Sequence, residues 1–236
     1  MDLRTRLLHL LVLPLVALVL TACTGGDGGQ ADPEEATPRE VLQVAQQTLE
    51  ETSGVQVSLS TPALPDGAVG ILSAEGLATH APAFDGTLTV SLAGQSVEVP
   101  VVAVDGVVWA QLPFTQGFDK VDPAAYGAPD PARLLDPRTG FPALLTATRA
   151  PEKGESVRGG ADNSEVLTEY TGAVPGDAVA QVIPSASGTF DALWQVTDAG
   201  ELRHAELTGV FYPGTEPMTY TVDFSEYGTE QEIAKP

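Results

Sequence analysis

Few residues of this chain could do chemistry. Cys23 is the one cysteine among 236 residues, and the histidines are His9, His80 and His204. A thiol is the soft nucleophile among side chains, and an imidazole is the usual general base at neutral pH. Neither has the company that catalysis needs. No GxSxG or HExxH pattern is present, so neither a nucleophile elbow nor a zinc-protease helix is encoded. His204 falls between Arg203 and Ala205 on the solvent side of an expected strand, and His80, ahead of Ala81-Pro82, falls in a loop. Many acidic residues stand beside proline or glycine and read as caps and turns, and no spacing of His, Cys or carboxylate suggests a metal. No enzyme, metal or cofactor is expected.

Cys23 has a different context. Arg4 and Arg6 precede an apolar run from Leu7 to Leu20, broken by His9 and Pro14, and Leu20-Thr21-Ala22-Cys23 closes it. This is the layout of a secretory signal, too short to cross a bilayer as a helix, which takes about 20 residues. Its end is similar to the bacterial lipobox. In such signals the cysteine sulfur receives a diacylglyceryl group and cleavage leaves that cysteine first. Residues 1–22 are therefore expected to be a signal peptide and Cys23 the lipidation site, with the protein anchored at the extracytoplasmic face of the cell membrane. Residues 23–36 carry the lipid and a Gly-, Asp- and Glu-rich tether, and residues 37–236 form a single domain. Losing Asp2, Arg4 and Arg6 takes 11 basic and 32 acidic residues to 9 and 31, a net charge of −22. Such a chain repels nucleic acid. Apolar surface is the better candidate for holding a ligand.

The elements that would shape such a surface follow in order. Thr37, Pro38 and Glu40 spell a capping box with proline at the first helical position, and Val41, Leu42, Ala45 and Leu49 form the apolar side of the helix, with Gly54 as its expected stop. From Val55 the period becomes two, giving five strands to about Leu112 joined by tight turns. A helical island, expected from Val121 to Ala147, begins helices at Asp122-Pro123, Asp130-Pro131 and Asp136-Pro137, and its apolar residues, Tyr126 among them, are expected to pack on the sheet. Strands return at about Glu155 and Val166, Asp177 to Ile183 reads as a short helix, and three clear strands finish the chain. On these, Phe190, Ala192, Trp194 and Val196 share one face, Ala205, Leu207, Gly209 and Phe211 another, and Met218, Tyr220, Val222 and Phe224 a third. The tail after Gly228 is expected to fray.

Several of these runs together resemble the actinobacterial LppX/LprAFG lipoprotein family: VDPAAYGAPDPARLLDPRTGFPALLTAT, VPGDAVAQVIPSA, FDALWQVTDAGELRHAELTGVFYPG and MTYTVDFSEYG. The resemblance covers nearly all of the domain in order and comes with the lipobox. It implies an α+β fold similar to the periplasmic carriers of the Lol type. In that fold a strongly bent antiparallel β-sheet makes a half-barrel, with short helices on the concave side enclosing an apolar cavity. It also implies a function, carrying acylated lipids or glycolipids across the cell envelope. The partners would be a multi-acyl lipid or glycolipid ligand, the membrane through the N-terminal lipid anchor, and a membrane transporter delivering cargo, with no nucleic acid. No short motif of the family fixes a headgroup, so no polar residue inherits a ligand role.

The expected cavity wall takes Val57, Leu59, Leu72, Leu88, Val90, Val102 and Val104 from the first strands. The island supplies Leu134, Leu135, Leu144 and Leu145, and the last strands supply Phe190, Trp194, Phe211, Met218 and Tyr220. Short, proline-broken helices cover a long sheet poorly, and exposed apolar wall costs about 25 cal/mol per Å². Two other readings stay open: an anchored envelope scaffold or interaction protein without lipid cargo, whose apolar residues would close into a core, and a hydrolase acting on envelope lipids.

Overall fold

Two antiparallel meanders, one from each half of the chain, meet in a single sheet. The computed structural model describes residues 35–236 except 93, 127 and 161. The expected signal peptide, Cys23 and nearly all of the tether lie outside the described residues. Residues 36–236 make one compact unit. The first meander comprises β1 (Gly54–Ser60), β2 (Gly70–Thr79), β3 (Ala83–Leu92), β4 (Gln95–Val104), β5 (Val107–Ala110) and β6 (Asp119–Val121). The second comprises β7 (Arg149–Gly159), β8 (Glu165–Pro175), β9 (Ser187–Thr197), β10 (Leu202–Val210) and β11 (Met218–Ser225). The strand order is β6-β5-β4-β3-β2-β1-β11-β10-β9-β8-β7. Every neighbour is sequential except β1 and β11, whose register sets Val57 opposite Phe224 and Leu59 opposite Val222.

That topology dictates where the helices go. The chain leaves the sheet at one edge, β6, and re-enters at the other, β7. Eleven strands laid flat would span on the order of 50 Å, so the connection must cross a face and the sheet must bend to let it. The crossing consists of 3₁₀ turns at Pro123–Tyr126 and Pro131–Arg133, then α2 (Phe141–Ala147). Together with α1 (Pro38–Glu51) and α3 (Gly176–Val182), it occupies the concave side of a bent, open half-barrel. Residues from β1–β5 and β8–β11 join α1 and α2 in one apolar core.

Local chemistry explains most element ends. The Glu40 carboxylate accepts from the Thr37 N–H at 2.8 Å, while the Thr37 hydroxyl accepts from the Glu40 N–H at 3.3 Å, a reciprocal cap. Leu42, Ala45 and Leu49 are buried and Val44 is half exposed. The helix stops at Thr52, extended at φ −67° and ψ 136°, and not at Gly54, which opens β1. A side chain at position 54 would run into the Thr229 carbonyl oxygen. Asp130 caps the second 3₁₀ turn through Ala132 N–H. The expected helix at Asp136-Pro137 does not form: Asp136 closes a turn on the N–H groups of Arg138 and Thr139, both at 2.9 Å, and α2 begins only after Gly140.

Three further expectations change. β6 lies in what read as loop and island, because three residues are too few for a period to register. Tyr126, expected to pack with the island, is exposed. The tail does not fray: Thr229 N–H donates to the Gly54 carbonyl at 3.2 Å, and Ile233 is buried with Leu77, Ala83 and Val102 on the convex face. Lys235 Nζ lies 4.8 Å from the centre of the Trp109 ring, which Lys120 also approaches at 5.1 Å.

Candidate functional site

The concave side gathers most of the expected wall. Val57, Leu135, Leu144, Leu145, Phe190, Trp194, Phe211 and Tyr220 are buried in one core, and Leu59, Leu88, Val90, Leu134 and Met218 pack half-buried against it. Three residues do not belong there. Val102 and Val104 point to the convex face, where the tail covers them. β4 carries valine at both parities, 97, 99 and 101 as well as 102 and 104, so alternation could not choose the face. Pairing of Val99 with Leu88 and of Val97 with Val90 does. Leu72 sits at the register shift between Ile71 and Ser73, a bulge that breaks the alternation used to assign it.

A chain of rings ties α2 to the sheet. Phe141 meets Trp194 edge-on at 5.9 Å and Phe224 at 5.1 Å, while Phe211 meets Phe190 at 4.7 Å and Tyr220 at 4.8 Å. Gly209 makes room for Phe190, since a Cβ there would strike that ring. Polar atoms among these rings are satisfied, as burial demands. Trp194 Nε1 donates to Thr148 Oγ1 at 3.1 Å, and Thr148 Oγ1 donates to the Leu144 carbonyl at 2.9 Å. Tyr220 donates to the Ile71 carbonyl at 2.6 Å and shares a 2.8 Å hydrogen bond with Tyr212. Burial, then the bond to Tyr212, raises the Tyr220 pKa far above the ordinary phenol, so this hydroxyl stays neutral.

Open volume lies beside this core. A cleft of about 730 Å³ runs between the β5–β6 edge, the island and the C-terminal end of α3. Its apolar lining includes Val108, Val121, Leu134 and Val182, all within or against the core. Lys120, Asp122, Asp130, Arg133, Thr139 and Gln181 provide its polar groups. Apart from Leu134, none of these was expected in the cavity wall from the sequence, Asp122 and Asp130 being read only as helix starts. They come from four separate elements, and only the edge-to-edge crossing brings them together. A second pocket, of about 510 Å³, lies by Arg149, Glu152, Asp191 and Glu206; its carboxylates make it a poor apolar site.

The two histidines among the described residues are accounted for by geometry. His204 Nδ1 lies 2.7 Å from Asp223 Oδ1 and Nε2 lies 3.3 Å from Glu206 Oε1. The Asp223 hydrogen bond raises the His204 pKa above its ordinary value, burial opposes this, and Glu206 adds to the rise. With both ring nitrogens engaged by carboxylates, neither is free to take a proton from a substrate. His80 Nε2 lies 3.2 Å from the Leu49 carbonyl, pinning the β2–β3 turn to the end of α1.

A bent open sheet that seats helices on its apolar face, with a cleft where the barrel fails to close, defines an α+β half-barrel. Within that class the chain belongs to the LppX_LprAFG lipoprotein family, whose model matches residues 37–233. The lipoarabinomannan carrier protein LprG of Mycolicibacterium hassiacum is 30% identical over 243 aligned positions, covering 99% of both chains. The protein of that name from Mycobacterium tuberculosis is 27% identical, covering 98% of this chain and 95% of its own. Among solved structures, LprF from Mycobacterium bovis superposes with a TM-score of 0.67 at 14% identity, covering 84% of this chain and 96% of its own. Lipoprotein LppX from Mycobacterium tuberculosis superposes with a TM-score of 0.62 at 16% identity, covering 84% and 98%. These two structures support the fold.

Proposed function

We propose that this chain is a membrane-anchored lipid-binding lipoprotein that carries acylated lipids or glycolipids across the cell envelope. Cys23 holds it at the extracytoplasmic face, residues 1–22 are removed as signal peptide, and 23–36 act as tether. The carrying observation is the cleft whose apolar floor continues into a core roofed by short helices. Burying acyl methylenes is worth about 0.8 kcal/mol each, and the island is the element whose displacement would admit them. The relatives named lipoarabinomannan carriers support a multi-acyl glycolipid as ligand, and a carrier implies a membrane transporter that delivers the load. The fold and the carboxylates that occupy both ring nitrogens of His204 favour binding over hydrolysis.

The scaffold reading keeps one specific support: Phe190, Trp194 and Phe211 are each 0% exposed, the packing of a closed core. The test is solvent extraction and mass analysis of soluble Cys23→Ala protein made in a native-like host, with uptake from vesicles alongside. Multi-acyl lipid should co-purify and load. Its absence from both measurements would leave the scaffold.

A further inference from the structure

Cations are scarce in this chain of net charge −21, and two of them, Lys120 and Arg133, border the cleft; Lys120 Nζ lies over the Trp109 ring at 5.1 Å. Arg133 is exposed at the end of its 3₁₀ turn, and its Nη2 donates to Thr139 Oγ1 at 3.0 Å. The two carboxylates of the cleft lining are turned to backbone: Asp122 accepts from Ala124 N–H and Asp130 from Ala132 N–H, each at 3.0 Å. Asp136, near enough for Arg133 to favour its ionised form, is itself engaged first by the N–H of Arg138 and also by Thr139. Thr139 therefore orients a guanidinium at the rim, with Gln181 contributed by α3 and the apolar floor of Val108 and Leu134 in the same cleft. A planar fork of N–H donors matches two oxygens of one anion. The anion that comes attached to acyl chains in a membrane is the phosphodiester.

We propose that Arg133, oriented by Thr139, is a specificity-determining residue that selects lipids with an anionic phosphodiester headgroup, an assignment that rests on the carrier reading. The floor distinguishes this from a site for free phosphate, which has no use for apolar contact.

The experiment uses the soluble Cys23→Ala protein and two probes with the same acyl chains, phosphatidylglycerol and diacylglycerol, each supplied from dodecyl maltoside micelles. Arg133→Gln should weaken phosphatidylglycerol binding about tenfold, the worth of one charge-assisted hydrogen bond, and leave diacylglycerol binding unchanged. Thr139→Val should give a smaller loss in the same direction, and denaturation curves of both variants should match the parent. If the parent binds both probes and Arg133→Gln weakens them equally or not at all, the headgroup assignment is wrong while the carrier reading stands. If the parent binds neither probe, the carrier reading itself fails. Displacement of phosphatidylglycerol by millimolar inorganic phosphate would mark a free-anion site and overturn the lipid-headgroup assignment.

Discussion

His204 shows how one residue can carry a measurable signature without catalysis. Its pKa is raised in the folded protein, by Asp223 foremost, so the pair's stabilisation is complete below the unfolded value of about 6.5 and is lost as pH rises through the higher folded value. His204→Gln removes that component. The stability difference between parent and variant, from urea curves, should shrink by about 0.5–1 kcal/mol between pH 6 and pH 9, the scale of a partly exposed ion pair. A difference independent of pH would mean that His204 contributes by packing alone.

At the scale of elements, the island and the edge strand β7 answer different problems. β7 is an eleven-residue edge that would invite pairing with another chain. Register shifts interrupt it at 149–152 and 153–156, Ala150 sits at φ +45°, and Arg149, Glu152, Lys153, Glu155 and Arg158 punctuate it, devices that blunt an edge. The island instead holds its place through α2, whose Phe141, Leu144 and Leu145 are buried, while its two 3₁₀ turns are only four and three residues long. If it is the part that moves for acyl chains, amide exchange over residues 132–147 should slow when lipid is bound. Equal protection with and without lipid would make it ordinary core.

Across the whole molecule, the tail and the β1–β11 pairing hold the two meanders as one sheet. From Gly228 the chain passes beneath β2, β3 and β4, seating Ile233 at 8% exposure and ending near Trp109 of β5. Ile233→Asp puts a carboxylate into that apolar contact and should cost about 2–3 kcal/mol, with faster amide exchange in β4 and β5. Unchanged denaturation and exchange would show the tail to be passive.

The sequence by itself determined what depends on neighbours in the chain. The α1 capping box, the alternating faces of β9, β10 and β11 and the start of the island at proline are local, and their apolar sides were legible as one wall: Phe190, Trp194, Phe211 and Tyr220 all point where alternation put them. Tertiary structure decided the rest. Valines at both parities left the face of β4 open until its register with β3 turned Val102 and Val104 outward. A bulge of one residue displaced Leu72. Ile233 had no periodic neighbours to announce that it would be buried. The cleft, with Arg133 at its rim, exists because the chain must cross from β6 to β7. That crossing follows from β1 pairing with β11, a contact between residues about 170 positions apart, whose loop-closure entropy only a completed core can offset.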